Sequence, residues 1–119
     1  MEKTQKITNL NYLREVTGGE ASVMRELIEM FLEQIPEFTK GMRTYLEGQQ
    51  WKELGELAHK AKSSVMTFGM KDLGKKLKEL QLSTVEPENT AIFSSYVDEF
   101  ESTINKAEKE LKEELLELK

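Results

Sequence analysis

The sequence predicts an all-α fold: an antiparallel up-down four-helix bundle with a short leading helix and a long C-terminal helix. Apolar residues recur every three or four positions along most of the 119-residue chain, which is the period of amphipathic helices. Two prolines and seven glycines are too few for an all-β sandwich, which needs a turn roughly every ten residues. The length suits one domain, so we expect residues 1–119 to form a single bundle.

The leading helix is expected over residues 8–17. Thr8 or Asn9 is the expected cap at its start. The pair Gly18-Gly19 follows, and glycine accepts the left-handed conformation that ends helices. The apolar residues of this helix lie three apart: Leu10, Leu13 and Val16.

The second helix is expected over residues 20–48, with Gly48 at its end. Pro36 falls inside it, so either the helix kinks there or one helix ends and another begins with proline in its first turn. Its apolar residues alternate in steps of four and three: Met24, Ile28, Phe31, Ile35, Phe38, Met42 and Tyr45.

Three further helices are expected over residues 50–68, 70–82 and 87–118. Gly69 separates the first two, and a polar loop precedes the last, which Pro87 is expected to open. The last helix keeps a spacing near 3.5 to the end of the chain. At about 45 Å it is long enough to extend beyond the shorter helices.

Composition excludes several kinds of site. The chain has no cysteine, which excludes disulfides, thiolate metal sites and a cysteine nucleophile, and its one histidine excludes a multi-histidine metal site. The net charge of −5 makes it a poor general binder of nucleic acid. Residues 1–5 are polar and no apolar run is long enough to span a bilayer, so we expect no signal peptide, no membrane contact and a cytoplasmic location.

His59 is the one residue that the helical pattern places in an unusual setting. A helical wheel puts it roughly 140° from the centre of the buried stripe of its helix, so it faces solvent. Its neighbours one turn away, Gly55 and Ser63, are both small and leave the ring open to another macromolecule. Lys62 and Met66 lie on the same face.

The charge around His59 also differs from the rest of the chain. Residues 59–78 hold six lysines and one aspartate, a charge of +5, so the remaining residues carry −10. Such a patch favours a phosphoryl group on the imidazole and an acidic partner. The alternative interpretation is an idle, solvated histidine with lysines that only solubilise the protein.

These residues resemble the histidine phosphotransfer (HPt) domain of bacterial phosphorelays and two-component signalling. The family's motif, roughly His-x-Leu-Lys-Gly-Ser and a later Leu-Gly, stands here as His59-Lys60-Ala61-Lys62-Ser63-Ser64 and Phe68-Gly69. The resemblance covers about residues 8–82 and departs at Ala61, which replaces leucine, and at Ser63, which replaces glycine. Supporting segments are Tyr12 to Gly19, Leu27 to Pro36, and Trp51.

The resemblance implies that His59 is the phosphoacceptor through Nε2, that Lys62 steadies the phosphoryl group or partner, and that Gln81 orients the imidazole. It implies a phosphocarrier without autokinase activity, which takes a phosphoryl group from one receiver-domain aspartate and passes it to another. The expected partners are response-regulator receivers, of a hybrid sensor kinase and a downstream regulator. Any Mg²⁺ is expected on the receiver, with no cofactor in this chain.

The docking surface for the receiver is expected to be apolar at its centre and basic around it, since flexible methionines suit a surface that meets several partners. Its expected residues are Gly55, Ser63, Met66, Phe68, Met70, Lys75 and Lys76.

Two other functions fit the sequence less well. A non-catalytic scaffold or coiled-coil dimerisation module would use the near-heptad run of the last helix, although a monomer is favoured over a dimer. An independent hydrolase or transferase fits worst, because no paired carboxylates mark a cleft. Glu56 and His59 supply only one of the two Glu-x-x-His motifs that a di-iron bundle needs.

Overall fold

The structure, a computed structural model, describes residues 6–118, so the expectation for residues 1–5 lies outside the described residues. Within this range the chain forms helices and one 3₁₀ turn and contains no strand, which confirms the all-α class. The helices are α1 (Asn11–Thr17), α2 (Ala21–Glu47), α3 (Trp51–Thr67), α4 (Lys71–Ser83) and α5 (Phe93–Glu117). None of these helices has the length and apolar character that crossing a membrane requires.

The first two helices end close to the glycines that predicted their ends. Gly18 adopts the left-handed conformation, with φ of 67°, and the N–H of Gly19 donates to the carbonyl of Arg14 at 2.9 Å. Helix α2 continues through Pro36 as one helix. After α2 the left-handed residue is Gln49, with φ of 55°, and not the glycine before it.

Two predicted helix starts were wrong. Helix α1 begins at Asn11, because the backbone and hydroxyl of Thr8 bind Glu110 of α5. Of the two expected caps, only Asn9 bonds to the start of the helix: its Oδ1 accepts from the N–H of Asn11 at 2.9 Å. Helix α5 begins at Phe93 and not at Pro87. The apolar period itself starts at Phe93, so residues 87–92 bury no side chain that would hold them in a helix; only a 3₁₀ turn forms there.

The buried stripes of the four longer helices face a common core. Helix α2 contacts α3 and α5, and α4 contacts the same two helices. Aromatic pairs bridge these elements, with ring centroids 4.6 Å apart for Phe31 and Phe68, 6.5 Å for Phe38 and Phe100, and 5.1 Å for Trp51 and Phe93.

Ile7 and Thr8, which precede α1, are bound to the far end of α5 through the carboxylate of Glu110. This carboxylate accepts hydrogen bonds from the backbone N–H groups of Ile7 and Thr8, each at 2.9 Å, and from the Thr8 hydroxyl at 2.6 Å. Burial by itself would raise the pKa of the Glu110 carboxyl. The hydroxyl and the two N–H groups outweigh burial and hold the pKa below its ordinary value.

Asn9, the residue after Thr8, contacts the turn between α3 and α4. The N–H of Asn9 donates to the carbonyl of Phe68 at 2.9 Å. The next residue, Gly69, has φ of 76°, and a Cβ there would lie 2.5 Å from the carbonyl oxygen of Asn9. Glycine is therefore required at this turn for both its conformation and its lack of a side chain.

Candidate functional site: the exposed histidine of α3

His59 lies on the exposed face of α3, as the wheel predicts. The opposite face of the helix is buried in the core through Leu54, Ala58, Ala61 and Val65. The imidazole Nδ1 lies 3.3 Å from the amide oxygen of Gln81, which projects from α4. An amide oxygen can only accept a hydrogen bond, so a hydrogen bond at this contact requires the tautomer with the proton on Nδ1, which leaves the lone pair on Nε2.

Two other residues on this face of α3, Lys62 and Met66, pack close to Gly74 of α4. A Cβ at Gly74 would lie 2.5 Å from the Met66 sulfur and 3.8 Å from Cγ of Lys62. Gly74 was not among the residues expected at this site. The available signal was a glycine in mid-helix, which costs about 1 kcal/mol relative to alanine and so calls for a packing reason. Ser63 is exposed and Met66 is 43% exposed, so both remain accessible beside His59.

Gly55 does not serve the purpose that the sequence suggested. It is buried, and a Cβ there would overlap Oγ1 of Thr84 and lie 3.2 Å from Cβ of that residue. The absence of a side chain at Gly55 thus allows α3 and the end of α4 to approach closely. It does not simply clear space beside the imidazole. Thr84 was also missed, because nothing in a loop sequence marks this contact.

Besides the buried Gly55, two more of the expected docking residues were wrong. Phe68 is only 4% exposed and Met70 only 2%, so neither can line a surface around His59. Both lie beyond the end of α3, where the chain turns inward and Phe68 stacks on Phe31. Met66 is left as the exposed apolar side chain of the expected set.

The basic residues of α4 divide into two kinds. Lys75 is exposed. Lys76 pairs with Glu99 of α5 at 3.1 Å, and the hydrogen bond and charge of that carboxylate raise the pKa of Lys76. Part of the positive charge predicted near His59 is thus offset by an acidic residue from a neighbouring helix.

The site does not lie in the larger of two cavities near α4. A shallow cavity of about 410 Å³ lies one turn from His59 and is lined by Lys52, Gly55, Glu56, Gln81, Thr84 and Val85. A larger one of about 590 Å³ lies at the other end of α4, and His59 is not among its lining residues. Among residues 6–118, no group of three or more histidine, aspartate or glutamate side chains is placed to hold a metal ion.

A family model described as the Hpt domain matches residues 26–119. The matched region contains His59, Lys62 and Gln81 and extends through α5, whereas α1 lies outside it. No curated protein matches the chain, and no solved structure does.

Proposed function

Because this chain belongs to the family of Hpt domains, whose members carry out histidine phosphotransfer in phosphorelays, we propose that it relays a phosphoryl group between two receiver domains. His59 accepts the group from one receiver aspartate and passes it to another. The observation that carries the proposal is the exposed imidazole of His59 with Nδ1 held by the Gln81 amide oxygen.

The transfer needs an unprotonated nucleophile, and the tautomer favoured by Gln81 provides one. The Nε2 lone pair attacks the phosphorus of the receiver's phospho-aspartate in line. The bond between phosphorus and the carboxylate oxygen breaks, and that oxygen keeps the electron pair. The ring gains positive charge, which the acceptor oxygen of Gln81 stabilises through Nδ1–H. Lys62, one turn along the helix, offers positive charge to the phosphoryl oxygens.

The rest of the catalytic machinery belongs to the receiver. Its acidic pocket holds Mg²⁺ and the phospho-aspartate, whereas this chain contributes the nucleophile, local positive charge and a surface for docking. We propose that it is a phosphocarrier without autokinase activity and that it acts in the cytoplasm. The receivers of a hybrid sensor kinase and of a downstream regulator are the proposed partners, because Hpt domains interact with response-regulator receivers.

The docking surface proposed here is smaller than the sequence suggested. It consists of Lys62, Ser63 and Met66 around His59, with Lys75 at its edge. Met66 supplies the apolar centre, and its flexible thioether can adjust to two different receivers. The lysines complement the acidic residues that surround a receiver's phosphorylation site.

We further propose that the helices form the antiparallel up-down bundle typical of this family. The cross-helix pairs support this, since His59 meets Gln81 whereas Met66, later in α3, meets Gly74, earlier in α4. The helix contacts also close into a ring, from α2 through α3 and α4 to α5 and back to α2.

A coiled-coil scaffold is the less favoured alternative because the end of α5 is already covered. Leu111 is buried, Glu110 holds the N-terminal residues, and the Arg25 side chain of α2 donates to the carbonyl of Leu118. Leu116 is the strongly exposed leucine there, at 73%, and one such side chain makes no dimer seam. We therefore propose a monomer.

The test is phosphorylation of the chain by a panel of phosphorylated receivers, followed by quantification of acid-labile, alkali-stable phosphate. The wild type should acquire the label, and His59→Gln should not. The variant should keep the circular dichroism spectrum and the unfolding midpoint of the wild type, because an exposed side chain contributes within about 0.5 kcal/mol. Label on the variant, or no label on the wild type from any receiver, would contradict the proposal.

A further inference from the structure

We infer that Gly55 and Thr84 form a clamp that positions Gln81 against His59 and thereby selects the imidazole nitrogen that is free to be phosphorylated. Both are positioning residues, because neither touches the imidazole. The inference rests on the proposed function and deepens it, since it concerns how the phosphoacceptor is prepared before a receiver arrives.

The clamp is a close approach between two helices, one turn from the phosphoacceptor. Gly55 is buried on α3, and Thr84, only 8% exposed, follows the last residue of α4. A Cβ on Gly55 would overlap Oγ1 of Thr84 and lie 3.5 Å from the backbone carbonyl oxygen of Gln81. Rotation of the Thr84 side chain could relieve the overlap, but its Cβ would still lie 3.2 Å from the new Cβ, so a side chain at Gly55 must push the end of α4 away from α3 by a few tenths of an ångström.

Thr84 and Gln81 are coupled, so a displacement of one is transmitted to the other. The Thr84 hydroxyl donates to the carbonyl of Gln81 at 2.7 Å. The Thr84 N–H donates to the carbonyl of Leu80 at 3.1 Å. Because of these bonds, Thr84 and the last turn of α4 move together, and the contact with Gly55 sets their distance from α3.

The hydrogen bond between His59 and Gln81 is already long, so a small displacement of Gln81 would break it. Nδ1 of His59 and the Gln81 oxygen are 3.3 Å apart, already at the long end of hydrogen-bond distances. A methyl group at Gly55 needs roughly 3.5–4 Å from the nearest carbon or oxygen. Cβ of Thr84, at 3.2 Å, would have to move by roughly 0.3 Å or more, and the same movement of Gln81 away from His59 would lengthen the 3.3 Å contact beyond hydrogen-bond range. The proton on the neutral ring is then free to move to Nε2, which lowers the fraction of rings whose Nε2 lone pair can act as the nucleophile.

The experiment uses the full chain and a signal that requires no phosphoryl transfer. The chain has one histidine, so the imidazole ¹⁵N resonances come from His59 alone. Recorded at alkaline pH, they should place the proton on Nδ1 in the wild type and mainly on Nε2 in Gly55→Ala. Phosphorylation of the ring by phosphoramidate should be about three- to tenfold slower in the variant, equivalent to the loss of one hydrogen bond.

Gly41→Ala is the matched control. It introduces the same methyl group in the middle of a helix, and its Cβ would lie 2.7 Å from a terminal carbon of Leu57. That contact joins α2 to α3 and ends on a flexible side chain, so the His59 resonances should be unchanged. The double variant Gly55→Ala/Thr84→Ala removes the overlapping hydroxyl but also its hydrogen bond to the Gln81 carbonyl, so it should return part of the proton population to Nδ1. A general packing defect would not be rescued in this way.

Several outcomes overturn the inference: wild-type ¹⁵N shifts in Gly55→Ala, the same change in Gly41→Ala, or no rescue by the double variant. If Gly55→Ala does not fold, Thr84→Leu enlarges the same contact from the other side and should give the same shift of the proton. Failure of the proposed function is distinguishable. In that case wild-type His59 takes no phosphate from receivers, whereas the ¹⁵N shifts still report the clamp.

Discussion

Replacing Thr8 with valine removes the shortest of the hydrogen bonds that hold the chain before α1 on α5, the one from its hydroxyl to Glu110 at 2.6 Å. Thr8 is buried, and valine has nearly its shape. A hydrogen bond to a charged group contributes about 1.5–3 kcal/mol. Because Glu110 is partly exposed and keeps its backbone donors, we expect a loss of about 1–2 kcal/mol. For a domain of this size that lowers the unfolding midpoint by roughly 4–8 °C.

The effect should depend on pH in a defined direction. The pKa of Glu110 is lower in the folded state than its ordinary value, so its stabilisation is complete above the unfolded-state value of about 4.5. It is lost as the pH falls through the lower folded-state value. The difference in midpoint between wild type and Thr8→Val should therefore be constant from about pH 8 to pH 5 and shrink below about pH 4.

Thermal unfolding followed by circular dichroism at a series of pH values measures this difference. Thr39→Val is the matched control, because the Thr39 hydroxyl bonds only to carbonyls of its own helix, that of Ile35 at 3.2 Å. It should change stability by less than about 0.5 kcal/mol. Equal midpoints for Thr8→Val and wild type would refute the contribution of this bond. A difference that stays constant through the acid range would refute the role of the carboxylate.

The remaining predictions concern transfer from a phosphorylated receiver to His59. Lys62→Ala should slow the transfer step at every salt concentration, whereas Lys75→Ala should slow association only at low salt, because the screening length falls from about 10 Å at 0.1 M to about 3 Å at 1 M. Stopped-flow transfer at both ionic strengths measures this, and wild-type rates for both variants at both ionic strengths would exclude the lysines from the function. Ser63→Leu should slow transfer severalfold by covering the ring from one turn away, with Ser63→Ala unchanged. Equal rates in the two Ser63 variants would mean that access does not matter there.

The helices could be predicted from the sequence because the signals that determine them lie within a few residues of one another. An apolar residue every three or four positions identifies a helix and its buried face, and a left-handed glycine such as Gly18 ends one. The errors occurred where a local signal competed with a distant partner. Thr8 has the side chain of a helix cap, but Glu110 binds it. Pro87 can begin a helix, but nothing downstream of it is buried until Phe93.

The exposed position of His59 also followed from the helical period alone, since the buried stripe determines the opposite face. The same reasoning failed for Phe68 and Met70. They lie beyond the end of α3, where the angle per residue no longer applies and the chain turns them into the core. Gln81 was suggested by resemblance, because periodicity cannot say which residue of α4 lies opposite His59 in α3.

Gly55 shows which features of the site follow from the sequence and which depend on how the helices pack. By itself the sequence determined that a small residue lies one turn from the single histidine on an amphipathic helix. Whether that smallness leaves room for a partner or for another part of the same chain depends on a contact with Thr84, distant in sequence. Only the packing of α3 on α4 decides this, because the approach of two helices is set jointly by side chains from both of them.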